Sequence, residues 1–322
     1  MTPLISVVIP TFRRPHLLQR CLNALGKQTF AHDAFEVLVV DDGNELATAD
    51  LVDAAADATG LAIRYLPQVQ RRGPAAARNR GWQAAEGCII AFTDDDCIPQ
   101  PGWLAAANAG FEAGATVLTG RVIMPLPDRP TAHDRTTALL ESAEFVTANC
   151  FCMRSALERV GGFDESFDLA WREDSALQFA LLEAGISIEP CPDAVIVHPL
   201  EPARWEAPLR NERKNQYDAL LYKRYPHLFR KRIPQYRGLV VAYYGAVGSA
   251  VLTAGGVAVN NRALVRAGGL SWLVLTAFLT AQRQAGQPVA QLPRNALISA
   301  VTPFLSVYWR LYGSVKHRVW FW

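Results

Sequence analysis

Short apolar runs and amphipathic stretches alternate along the first hundred residues. Leu4–Ile9 (LISVVI) is apolar and β-rich, ends at Pro10 and reads as a buried strand. Over Pro15–Leu25 the apolar residues Leu17, Leu18, Cys21, Leu22 and Leu25 recur on one helical face. Phe35–Val40 (FEVLVV) predicts a second buried strand, cut off by Asp41-Asp42-Gly43. The alternation continues with a helix over Leu46–Ala58, a strand over Ala62–Leu66, a helix over Pro74–Ala85 after the Gly73 turn, and a strand over Cys88–Phe92. Strands alternating with helices predict an α/β fold with a mostly parallel sheet covered on both faces.

Residues 103–200 are mixed. Trp103–Phe111 reads as a helix, Thr116–Val122 as a strand and Pro125–Arg135 as a loop. Ser155–Val160 is a short helix before Gly161-Gly162, Glu173–Ala184 a longer one, and Ala194–Val197 a strand ending at His198-Pro199. The pattern then changes. Gly238–Asn261 holds no charged residue, and at ~1.5 Å per residue it can cross a ~30 Å hydrocarbon core. Its glycines, Gly245, Gly248, Gly255 and Gly256, suit close helix packing in lipid. A second uncharged run, Ala267–Gln282, looks short for a span. Asn295–Trp309 leads into WRLYGSVKHRVWFW, where aromatic and basic residues alternate as in a helix lying at a membrane interface. The expected organisation is a catalytic domain over 1–203, a basic connector over 204–237 and an apolar helical tail over 238–322. That tail would be a hairpin over 238–282 and an interfacial helix over 295–322.

Charge refines this picture. The formal net charge is +2, which points neither to nucleic acid nor to a strongly acidic substrate. Acidic residues dominate 33–57 and 94–96, whereas ten Lys and Arg fall between Arg204 and Arg237. A basic block beside apolar segments suits an anionic membrane surface. Arg230, Lys231, Arg232 and Arg237 precede the expected hairpin, Arg283 and Arg294 follow it, and only Arg262 and Arg266 lie in its loop. That bias places both flanks on the cytoplasmic face of the plasma (inner) membrane. The six cysteines make neither a zinc pattern nor a disulfide framework, and read as reduced thiols. MTPLISVVIP has no charged n-region and runs into a strand, so no signal peptide is expected.

The chemistry-bearing residues gather at strand ends, where ligands bind in sheets of this kind. FTDDDCIP (92–99) sets Asp94, Asp95 and Asp96 side by side just after a strand. Such a cluster repels itself unless a positive group sits on it, and a hard divalent cation carrying substrate phosphates is one such group. An acidic surface turn is the plainer alternative. Asp42 ends a neighbouring strand and can accept from a base N–H or a ribose hydroxyl. Arg78-Asn79-Arg80 can meet phosphate or base, or form a solvated helix face. Glu173-Asp174 follow Trp171-Arg172 at a helix start, where carboxylates either favour the helix dipole or act as a general base. His198, ending a strand, is a candidate metal ligand.

Taken together, SVVIPTFRR (6–14), VLVVDDGN (37–44), GPAAARNRGWQAAEG (73–87), FTDDDCIPQPGWL (92–104), TANCFCMRSALERVGGFDESF (147–167), WREDSALQFALLEAG (171–185) and VIVHP (195–199) resemble a family 2 glycosyltransferase with the GT-A fold. The resemblance covers about the first 200 residues, in family order. It implies an inverting transfer from a nucleoside-diphosphate-sugar, UDP-linked by preference, with Mg²⁺ or Mn²⁺. It implies that Pro10, Thr11 and Arg13 line the nucleotide pocket, that Asp42 reads the base, and that Arg78 lies near the nucleotide. Asp94 and Asp96 match the DxD motif with Asp95 between them. Asp96, Asp94 and His198 are the implied metal ligands, and Asp174 is the implied base. Trp171 and Glu173, like Asp95, are implied substrate contacts, while Asn149, Gly162, Phe163 and Asp164 match the segment flanking donor sugar and acceptor. The QxxRW pattern of processive synthases is absent after Asp174, so transfer of one sugar or a few is expected. The basic stretch and apolar tail fit a glycan or lipid-linked glycan acceptor in cell-surface polysaccharide synthesis. Two other readings are a sugar-phosphate nucleotidyltransferase and a non-catalytic protein of the same fold. The first usually carries a Gly-rich phosphate loop, and PTFRRPHLL has no glycine.

Overall fold

Uninterrupted apolar runs become strands buried on both faces. The structure, a computed structural model, describes residues 2–201, 203–234 and 236–320. Strands β1 (Ile5–Thr11), β2 (Phe35–Asp41), β3 (Ile63–Pro67), β4 (Ile89–Thr93), β5 (Ile98–Pro99), β6 (Val117–Ile123), β7 (Asn149–Met153) and β8 (Glu189–Val197) form one sheet. Their order is β3-β2-β1-β4-β7-β6-β8-β5. The pairs among β1–β4 and β6–β8 run parallel, while β7 runs antiparallel to β4 and β6, and β5 antiparallel to β8.

Strand alternation sends neighbouring residues to opposite faces. Val7, Ile9, Val37, Val39 and Ala91 meet Leu18 and Leu22 of the helix Pro15–Leu25 and Trp103 of the helix Trp103–Glu112. Val8, Leu38, Val40, Ile90 and Phe92 meet Trp82 of the helix Pro74–Ala84 and Leu177 and Leu181 of the helix Glu173–Glu183. Each fully buried aliphatic side chain contributes about 1.5–3 kcal/mol. Both layers hold the strand ends rigidly, and the acidic motifs sit there.

Two strands escape the hydrophobic pattern. β7 carries Asn149 and two cysteines, and β5 is a two-residue element that exists only through its pairing with β8. A short helix, Ala132–Thr137, stands where a loop was expected. It belongs to the second of two units: Met1–Pro125 with Ala138–Leu200 make the first, Leu126–Thr137 with Glu201–Trp322 the second. Within the second, Arg135 donates to the carbonyls of Pro130 and Ala285, and the Gln287 amide also donates to Pro130.

The second unit is helical, and its long helices are Arg237–Ala258, Arg262–Gln284 and Leu292–His317. The expected short run over 267–282 is in fact a helix of 23 residues. Asn261 caps its start, accepting from the N–H groups of Ala263 and Leu264, so Arg262 and Arg266 lie inside the helix rather than in a loop. The third helix starts before Asn295, and Phe321 and Trp322 of the expected interfacial segment lie outside the described residues. The first two helices pack through small residues. The Ser249 hydroxyl donates to Ser271 at 2.9 Å, and a Cβ on Gly268 would stand 2.7 Å from the Ser249 carbonyl. Gly245 and Gly256 share this seam, whereas Gly248 and Gly255 face open space. Both helices are long and apolar enough to cross a membrane, and 17% of each apolar window is buried.

Candidate active site at the strand rim

β1 and β4 are parallel neighbours, so their carboxyl ends bring Thr11 beside the aspartates. The Thr11 hydroxyl donates to Asp95 Oδ2 at 2.7 Å. Asp95 is fully buried, and its other oxygen meets Arg14 at 2.5 Å. Arg14 also donates to Asp96 Oδ2 at 2.9 Å. Burial pushes the Asp95 carboxyl up, to about 7, against the pull of Arg14. Arg78 reaches Asp94 Oδ1 at 2.7 Å and Glu173 Oε1 at 3.2 Å. Burial opposes the charge on Asp94, but Arg78 outweighs it and holds this carboxyl below its usual range. The positive groups on the triple aspartate are therefore, in the first place, two arginines.

Asp96 keeps one oxygen free. Its Oδ1 is buried without a hydrogen-bond partner and lies 3.5 Å from His198 Nε2. The β5–β8 pairing explains the approach: Ile98 stands opposite Val197, which carries the preceding turn to His198. His198 Nδ1 is 3.3 Å from the Pro199 carbonyl. In the tautomer that donates Nδ1–H there, Nε2 presents a lone pair to Asp96 Oδ1, and two acceptors face one another. A cation satisfies both, and the donor set fits a hard divalent ion with one imidazole. Cys97 lies within the same 4.8 Å group, but burial pushes its thiol well above the usual range.

At the next strand end the Asp42 carboxylate accepts from the Gln68 amide, Arg72 N–H and Gly73 N–H at 2.7–2.9 Å. It holds the 68–73 loop that leads into the Arg78 helix. Glu173 and Asp174 open their helix after Arg172, whose φ is +72°. Burial raises the Asp174 carboxyl; the Ser175 N–H and Arg172 pull it back in part. Burial raises Glu173 also, and Asp174 adds to that rise.

Several expected substrate contacts are tied into the fold by their own bonds and packing. Asn149 is fully buried; it accepts from Trp103 Nε1 and donates to the carbonyls of Arg121 and Ala194. Those bonds occupy its amide within the fold. Gly162 has φ +73°, and a Cβ there would stand 2.6 Å from Asn79 Oδ1. Asp95 and Pro10 are buried in the same way. Arg78 is 3% exposed, so the solvated-face reading of its helix holds only for Arg80. Arg13 points to Glu45 at 3.1 Å and lies beside the Phe12 ring. Trp171 is 38% exposed with Arg172 over its ring. Arg14 was missed: in FRR the two arginines are alike in sequence, and only the positive φ of Arg13 separates their directions.

A curled, mostly parallel sheet with an acidic, histidine-bearing rim is the architecture of the GT-A sugar transferases. Residues 6–164, just under half of the chain, match the family model described as Glycosyl transferase family 2. The chain is similar to Glycosyltransferase AglE of Haloferax volcanii, 29% identical over 62% of this chain and 68% of that one. It is also 36% identical to Validoxylamine A glucosyltransferase of Streptomyces hygroscopicus subsp. limoneus, over 56% of this chain but 38% of that longer protein. Among solved structures it resembles the mannosyltransferase PcManGT from Pyrobaculum calidifontis in complex with GDP-Man and Mn²⁺. The TM-score is 0.56 at 21% identity, covering 99% of this chain and 88% of that one. The chain is thus a glycosyltransferase.

Proposed function

We propose that the chain is an inverting glycosyltransferase that moves a sugar from a nucleoside-diphosphate-sugar to a hydroxyl of a glycan or lipid-linked glycan. The observation that carries this reading is the approach of Asp96 Oδ1 and His198 Nε2, 3.5 Å apart at the rim of the sheet. They would hold Mg²⁺ or Mn²⁺, with Asp94 close by. Such an ion supplies a counter-charge to the leaving diphosphate. Asp42 fixes the loop against which the base would lie, and UDP is the preferred donor nucleotide. Asp174 accepts the proton of the acceptor hydroxyl. The freed oxygen forms a bond to the anomeric carbon as the bond to the diphosphate breaks, so the centre inverts. A raised carboxyl pKa makes Asp174 a stronger base than an ordinary aspartate. Arg78 keeps Glu173 beside it.

The two apolar helices and the basic segment before them support docking on, or insertion into, the cytoplasmic face of a membrane. A lipid-linked acceptor in polysaccharide synthesis fits that placement. The test is a binding screen. The full chain is titrated with UDP, GDP, CMP and dTDP, each with Mn²⁺, with Mg²⁺ and with EDTA, beside Asp96→Ala. The expected result is metal-dependent binding of one nucleotide that Asp96→Ala abolishes. Equal binding with EDTA, or in Asp96→Ala, would overturn the assignment of the ion to this rim.

A further inference from the structure

Two arginines neutralise the three aspartates, and they differ in freedom. The Arg78 side chain is 4% exposed and fixed between Asp94 and Glu173. The Arg14 side chain is 44% exposed, although it holds Asp95 and Asp96 with two separate nitrogens. It hangs from the first residue before a helix, on the rim, with solvent on its far side. One counter-charge is buried, and the other is half-exposed.

The charge balance gives that difference a use. With Glu173, which shares Arg78, four carboxylates face two guanidiniums, so the cluster carries at most two net negative charges. A divalent ion bound next to Asp96 would meet Arg14, which already holds the other oxygen of the same carboxylate. Like charges at such separation repel strongly at a partly buried site. A donor diphosphate reverses this, because it brings negative charge for both the ion and the guanidinium. Arginine forms forked bonds to phosphate as readily as to carboxylate.

We propose that Arg14 is a hinged counter-charge that keeps a divalent cation off Asp96 until a nucleoside diphosphate arrives, and then turns to that diphosphate. Cation and nucleotide then bind cooperatively, each strengthening the other by the same factor. The rim does not fill with metal alone, and nucleotide alone meets a site short of positive charge. The inference rests on the cation site proposed above.

The test reads Mn²⁺ binding directly, by electron paramagnetic resonance of the free ion, on the full chain. Wild type, Arg14→Met, Arg14→Gln, Arg14→Lys and Asp96→Ala are titrated with Mn²⁺ alone, and again with saturating UDP or GDP. Arg14→Met should bind Mn²⁺ alone at least about tenfold more tightly than wild type, about 1.4 kcal/mol. It should also show a smaller gain on adding nucleotide. Arg14→Lys keeps the charge and should follow wild type. Arg14→Gln keeps a donor for Asp95 without the charge, so it serves if the methionine variant folds poorly. Neutral variants that bind Mn²⁺ alone no more tightly than wild type, while wild type with nucleotide holds Mn²⁺ through Asp96, would overturn the role of Arg14 alone. Wild type that binds no Mn²⁺ with either nucleotide, or binds it unchanged in Asp96→Ala, would overturn the cation site and this inference with it.

Discussion

The Arg78 guanidinium is 4% exposed and touches two carboxylates, Asp94 and Glu173. Removing one partner of a buried ion pair leaves the other charge without compensation, at a cost of about 3–5 kcal/mol. Arg78→Met should therefore lower the melting temperature by roughly 10 °C, measured by circular dichroism. A change of a degree or less would show that the pair is screened by water. Asp174 lends itself to a kinetic prediction. Asp174→Asn should reduce the transfer rate by about 10²–10⁴-fold while nucleotide binding persists. A general base works deprotonated, and burial has raised this carboxyl. The wild-type rate should thus fall with decreasing pH from a point above the ordinary aspartate range. An acid limb at ordinary aspartate values, or full activity in Asp174→Asn, would remove Asp174 from this role.

At the scale of elements, the Gly161-Gly162 turn separates two kinds of constraint. Both glycines have positive φ, where an alanine costs about 1–2 kcal/mol of backbone strain. Around Gly161 there is open space, whereas a Cβ on Gly162 would press on Asn79 Oδ1 at 2.6 Å and Trp82 Nε1 at 2.7 Å. Gly162→Ala should therefore destabilise the protein clearly more than Gly161→Ala in urea unfolding. Equal losses would mean that Asn79 and Trp82 yield without resistance. Legibility also divides at this scale. β1, β2 and β4 were readable because both of their faces are buried and their sequences are unbroken apolar runs. β7 was not, since NCFCM is stabilised by sitting between β4 and β6 rather than by its own pattern. The acidic site residues announced themselves by clustering at strand ends. Arg14, the Arg78–Glu173 bond and the framework role of Asn149 depend on backbone direction and long-range pairing, which residue spacing does not encode.

At the scale of the whole molecule, the open question is which solvent surrounds the helices Arg237–Ala258 and Arg262–Gln284. Val241, Val251, Leu270 and Leu273 are all more than half exposed. Deleting the tail is a poor test, because Gly313 of the last helix packs against the backbone of Gln216, and neighbouring Tyr217 and Leu221 are buried in the same unit. Point changes on the exposed face keep the packing. Leu270 is 66% exposed and Leu273 is 58% exposed. In water, Leu270→Lys with Leu273→Lys would change stability by less than about 0.5 kcal/mol each. At the centre of a bilayer each lysine costs about 2.5–3.5 kcal/mol. The double variant should therefore move from the membrane fraction to the soluble fraction after carbonate washing, while the unaltered chain stays with the membrane. Loss of both the unaltered chain and the double variant to the soluble fraction in the carbonate wash, with the melting temperature preserved, would mean that these helices do not lie in lipid. The basic segment would then be left to hold the enzyme at the surface by charge, and membrane binding should disappear in high salt.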